Sequence, residues 1–106
     1  MSVRPSSKAA LFAALGDETR LRLVLRLGAG PMSITKLTAG SRITRQAITK
    51  HLRVLEQARL VRGTRQGRER HWQLDRRRLD DARRYLDLIS KQWDNALGRL
   101  RNFVED

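Results

Sequence analysis

A mainly α-helical fold with one β-hairpin is predicted by three features of this 106-residue sequence. Short helical segments begin at good capping residues, two strand-like runs flank a single glycine, and the last stretch, from about Arg76 to Val104, contains no proline. The expected order is four helices, two strands and a long C-terminal helix. Residues 1–106 are read as one domain, because a chain of this length supports a single core.

Pro5, Ser6 and Ser7 form a start signal for a helix from Lys8 to Leu15, with Gly16 as its C-terminal cap. Asp17 caps the next helix, which runs to Leu27, and Glu18 lies in its first turn, where the helix dipole favours a carboxylate. Leu21, Leu23, Val24, Leu25 and Leu27 point in nearly all directions around that helix, which predicts a central, mostly buried element. Gly28 to Pro31 ends it. Ser33 caps a short third helix, Ile34 to Ala39, closed by Gly40. After a turn, Thr44 caps a fourth helix to Ala58, with Ile43 and Ile48 placed as a hydrophobic staple. Strands follow at Leu60 to Arg65 and Arg68 to Leu74, joined across Gln66-Gly67, where glycine supplies the positive φ of a tight turn. Residues 75–104 then form the long helix.

Lys and Arg number 23 against 11 acidic residues, a formal charge of +12. Such a surface attracts polyanions, so nucleic acid is the default partner. Arginine dominates the basic set, and its fork suits phosphate and guanine, although a GC-rich genome produces the same bias. The absence of cysteine excludes disulfides, thiolate metal sites and thiol switches. No apolar run is long enough to span a bilayer and residues 1–7 lack a signal-peptide core, so no membrane partner and a cytoplasmic, nucleoid-associated location are expected. No nucleophile, base and acid stand at catalytic spacing and no glycine loop cradles phosphate, which argues against an enzyme or a bound cofactor.

The fourth helix carries the sharpest pattern. At about 100° per residue, Ala47, Ile48, His51, Leu52, Val54 and Leu55 share one side, while Arg45, Gln46, Thr49, Lys50, Arg53, Glu56 and Gln57 fill the other. An apolar back and a donor-rich front are what a helix entering the major groove of double-stranded DNA requires. Thr44, Arg45, Gln46, Thr49, Lys50 and Arg53 are therefore the candidate recognition residues. The hairpin that follows offers Arg62, Arg65, Arg68 and Arg70 to phosphates or a minor groove, and Ser33, Thr35, Lys36 and Arg42 offer further phosphate contacts. The competing readings are a solvated helix face and a hairpin edge blunted by charge. His51, on the apolar side, is read as a half-buried packing residue.

Ala82, Leu86, Ile89, Trp93, Ala96, Leu100 and Phe103 recur at alternating spacings of four and three, the seam of a coiled coil. With Leu97, and with Leu11, Phe12 and Leu15 of the first helix, they form the expected homodimer interface. A two-fold dimer would hold two recognition helices roughly 34 Å apart and favour an inverted-repeat operator.

These segments resemble the ArsR family of winged helix-turn-helix repressors, from Leu11 to about Leu88. Leu15-Gly16-Asp17-Glu18-Thr19-Arg20-Leu21 is similar to the family's approach to its second helix, and Ile43 to Leu55 is similar to its recognition helix. Leu60-Val61 leads into the wing. The resemblance implies a homodimer on operator DNA, usually a repressor, often released by a metal ion or another inducer. The stretch Ile89 to Leu97, with Gly98-Arg99-Leu100 beyond, is similar to a metal-independent branch. Two departures stand out. The third helix has no cysteine and the last has no histidine, so no metal site is expected and any effector is unknown. The family favours glycine where this chain has Arg59, so the fourth helix ends either without a left-handed residue or with Arg59 in that conformation. An RNA-binding or protein-interaction winged helix is the alternative. RNA readers stack bases on exposed aromatics, and Trp72, Tyr85, Trp93 and Phe103 fall on predicted apolar faces.

Overall fold

The computed structural model describes residues 7–105, so Pro5 and Ser6 of the first start signal lie outside the described residues. The elements are α1 (Ser7–Leu15), α2 (Glu18–Leu27), β1 (Met32–Ser33), α3 (Ile34–Thr38), α4 (Arg45–Gln57), β2 (Val61–Gln66), β3 (Glu69–Leu74) and α5 (Arg76–Glu105). The three strands form one antiparallel sheet in the order β1-β3-β2.

The caps act as the residue types dictate. Asp17 accepts from the Arg20 backbone N–H at 3.0 Å, Ser33 from that of Lys36 at 3.1 Å and Thr44 from that of Ala47 at 3.1 Å. Each satisfies one orphan donor of a first turn. At the other end of α4 the Leu60 N–H donates to the Leu55 carbonyl and the Arg59 N–H to that of Glu56, both at 2.9 Å. This is a Schellman closure, and its left-handed position is Arg59 at φ +63°. Of the two endings open from the sequence, the chain adopts the strained one.

Three expectations need correction. Met32–Ser33 pairs with His71 and Trp72 as a further strand, too short to carry any alternation of its own. The hairpin turn lies one residue later than expected: Gln66 pairs with Glu69, leaving Gly67 and Arg68 in the turn, with Gly67 at φ +64°. A single positive φ at the first turn residue is the type II′ pattern, which glycine meets without strain. Finally, α2 is not buried all round. Leu23, Val24 and Leu27 enter the core, while Leu21 and Leu25 are 45% and 71% exposed.

The core gathers one face of every helix around the sheet. Leu11, Leu27, Leu37, Leu52, Leu55 and Leu60 are its largest fully buried side chains, each worth roughly 1.5–3 kcal/mol of burial. Ile48, Leu52 and Leu55 pin the back of α4, with Val54 on the exposed rim. Only the first turns of α5 join the core, through Ala82 and Arg78, and from Leu86 onward its large apolar side chains are exposed.

Candidate nucleic-acid interface

Because its apolar back is locked, α4 presents a defined front. Arg45, Gln46, Lys50 and Arg53 are exposed on it, with Thr44 at the cap. Thr49 is half-buried and its hydroxyl donates to the Arg45 carbonyl at 2.9 Å, so it offers outward a methyl group and lone pairs.

Beside this front runs a groove of about 540 Å³, lined by Arg45 and Arg53 of α4 and by Arg65, Arg68 and Arg70 of the hairpin. Trp72 and Gly63 also line it. Arg65 and Arg70 are direct cross-strand partners on one face. Like charges so placed repel one another unless an anion neutralises them. Arg62 pairs with Gln73, one step out of that alternation, and therefore belongs to the opposite face of the hairpin. The structure thus brings three of the four wing arginines to the groove and separates the fourth.

Arg70 is held rather than free. Its guanidinium carbon stands 4.9 Å from the Trp72 ring centroid, and its Nη2 donates to Glu56 Oε2 at 3.4 Å. The same carboxylate oxygen accepts from the Gly63 N–H at 3.3 Å, so one side chain of α4 moors both strands of the wing. A Cβ on residue 63 would sit 2.7 Å from Arg70 Nε and 3.0 Å from Trp72 Cζ3. Gly63 is there to let Arg70 cross β2. Sequence reasoning left Glu56 on a generic polar face and passed over Gly63, although glycine inside a strand is itself a sign of close approach.

The frame behind α4 is also tied. Arg20 donates to the Ala14 carbonyl at 2.7 Å, to that of Ala13 at 3.3 Å and to His51 Nδ1 at 3.3 Å, joining α1, α2 and α4. His51 is half-buried and 3.8 Å from Asp17 Oδ2. The Arg20 backbone N–H and then the Arg20 charge hold the Asp17 carboxyl below its usual range. Arg26 donates to the carbonyls of Leu37 at 2.9 Å and Lys36 at 3.1 Å, closing the end of α3.

Of the remaining phosphate candidates, Lys36 and Arg42 are exposed, and Ser33 is half-buried and capping α3. Thr35 faces Glu69 instead, and its hydroxyl hydrogen bond lowers the pKa of that carboxyl.

On the far side of the molecule, Leu11 corrects the expected subunit interface: it is 0% exposed in the core and has no surface to offer a partner. Phe12 packs on Tyr85 at 5.7 Å between centroids, and Leu15 is partly buried. Leu86, Ile89, Trp93, Leu97, Leu100 and Phe103 are exposed along α5, with Trp93 at 64%, and Ala96 is half-exposed.

Among the described residues no group of three or more His, Cys, Asp or Glu side chains could hold a metal ion, and none of their helices is long and apolar enough to cross a membrane.

A helix-turn-helix domain model matches residues 15–64. The HTH-type transcriptional regulator Rv2034 of Mycobacterium tuberculosis is 39% identical over 84 residues, which cover 79% of this chain and 76% of that protein. A transcriptional repressor SmtB homolog of Synechocystis is 35% identical over 66 residues, 62% of this chain and 50% of that one. Among solved structures, an ArsR-like transcriptional regulator from Rhodococcus sp. RHA1 superposes with a TM-score of 0.80 at 34% identity, covering 92% of both chains. On this likeness in sequence and fold, the chain belongs to the ArsR-like family of helix-turn-helix transcriptional regulators.

Proposed function

We propose that the protein is a homodimeric, metal-independent repressor that reads an inverted repeat in double-stranded DNA. The observation that carries this reading is the continuity of the α4 front with the arginine-lined groove on one exposed surface. In this reading Arg45 and Gln46, at the N-terminal end of α4, meet base edges, where bidentate pairing to guanine and adenine gives discrimination. Lys50, Arg53 and the wing arginines Arg65, Arg68 and Arg70 meet phosphate, which sets affinity and its salt dependence. The Glu56 mooring supports it further, because a wing of fixed angle can register one backbone strand against the base-reading helix. The exposed stripe on α5 supplies the two-fold seam. The exposed aromatics, Trp93 and Phe103, belong to that stripe and not to the groove, which favours duplex DNA over an RNA whose bases would need stacking partners.

Selection of bound fragments from random duplexes, followed by anisotropy titration at fixed salt, tests the proposal. A two-fold motif bound about a thousandfold more tightly than random duplex is expected. Equal affinity for selected and random DNA refutes it.

A further inference from the structure

A second concavity of about 450 Å³ lies where the start of α1, the turn after α4 and the early turns of α5 meet. Its lining carries Lys8, Arg59, Arg78 and Arg84 against one carboxylate, Asp81, with Tyr85 and Leu88 as apolar surface. Arg78 is structural: its side chain is 8% exposed, its Nε donates to the Ala58 carbonyl at 2.9 Å, its Nη2 to the Ser7 carbonyl at 2.5 Å, and Asp81 stands 3.5 Å from its Nη1. Asp81 is therefore committed to Arg78.

Among the described residues, no carboxylate pairs with the other three cations. Lys8 Nζ lies 4.9 Å from the centroid of the Tyr85 ring, and the Arg59 guanidinium donates to the Ser7 hydroxyl at 3.0 Å. Among the described residues Arg84 makes no hydrogen bond or ion pair. Arg59 also holds the left-handed backbone position that a glycine would occupy without strain, at a cost of about 1 kcal/mol or more. Strained positions of this kind are held by the packing around them and cluster at ligand clamps and switch regions. Converging, unneutralised cations beside an aromatic ring and a leucine describe a receptor for an anion with an apolar body.

We propose that this pocket binds a small organic carboxylate, its charge met by Arg59, Arg84 and Lys8 and its body laid on Tyr85 and Leu88. Arg59 and the Arg78-bound carbonyl of Ala58 form the end of α4, so occupancy is transmitted to the helix that carries the donor face. That consequence rests on the DNA-binding reading, whereas the binding itself does not.

Calorimetric titration without DNA, using decanoate below its micellar concentration, tests the site. Arg59→Gly relaxes the backbone and Arg84→Ala alters an exposed side chain, so both variants fold. Each is expected to weaken decanoate binding at least tenfold, Arg22→Ala, which removes an exposed cation of α2 outside the pocket, to leave it unchanged, and inorganic phosphate to bind far more weakly. Absence of heat at millimolar decanoate, equal affinity in all variants, loss of binding in Arg22→Ala, or phosphate binding as tightly as decanoate overturns the proposal. In a second arm, decanoate should change the affinity of the wild-type protein for its selected duplex at least threefold, and should not do so in Arg59→Gly. No change in either protein overturns the transmission to α4, and a failure to select any duplex counts against the DNA reading alone.

Discussion

Gln46 and Lys50 lie one helical turn apart on α4, yet different chemistry is expected of them. Gln46→Ala or Arg45→Ala should cost roughly 1–3 kcal/mol on the selected operator and little on random duplex, because a base-edge pair is lost. Lys50→Ala should weaken both and lower the slope of log K against log salt by about 1. Anisotropy titrations on both DNAs across a salt series separate the two, and equal losses for Gln46→Ala on operator and random DNA would contradict the assignment. Gly63 tests the mooring. Its replacement by alanine drives Arg70 off Trp72 and Glu56, and should destabilise the fold by about 1 kcal/mol in urea denaturation, a modest value because the arginine can swing into solvent.

The wing hairpin is strained by its charge. Arg65 faces Arg70 across the ladder, so Arg65→Thr should raise stability by up to about 1 kcal/mol while weakening DNA binding. A thermal melt and a titration moving in opposite directions would show that the element trades stability for a ligand site. The N-terminus of α2 and the tip of β3 make the domain sensitive to acid. Asp17 is lowered by the Arg20 N–H and Glu69 by the Thr35 hydroxyl, so each carboxyl binds its proton less readily folded than unfolded. Their contribution is complete above the ordinary carboxylate range and is lost as pH falls through the lowered folded values. Melting temperature should therefore drop on acidification, and Asp17→Asn should flatten part of that drop.

For the whole molecule, the decisive feature is its shape. The chain measures 68 × 38 × 25 Å, because α5 runs well past the body it caps. A helix with Leu86, Ile89, Trp93, Leu97, Leu100 and Phe103 exposed in one stripe is poorly stable in water without a partner. Trp93→Glu should give a monomer by sedimentation velocity, with operator affinity reduced by an order of magnitude or more since the two half-sites are no longer linked. A variant that remains dimeric would place the seam elsewhere.

The elements, their caps and the donor face of α4 were legible in the sequence because they depend on local chemistry. A cap needs its residue type and an N–H three positions on, and an amphipathic face needs only the 3.6-residue period. The two strand-like runs flanking Gly67 likewise predicted a hairpin, and the heptad spacing an unpartnered stripe. Tertiary structure alone decided what depends on neighbours distant along the chain. It sent Leu11 into the core and Leu25 to solvent, paired Met32–Ser33 with β3, turned Arg62 away from its three companions, and set Glu56 beneath Gly63 and Arg70. It also resolved the end of α4, because the buried pairing of Leu55 with Leu60 demands a left-handed residue between them whatever its side chain, and this chain has arginine there.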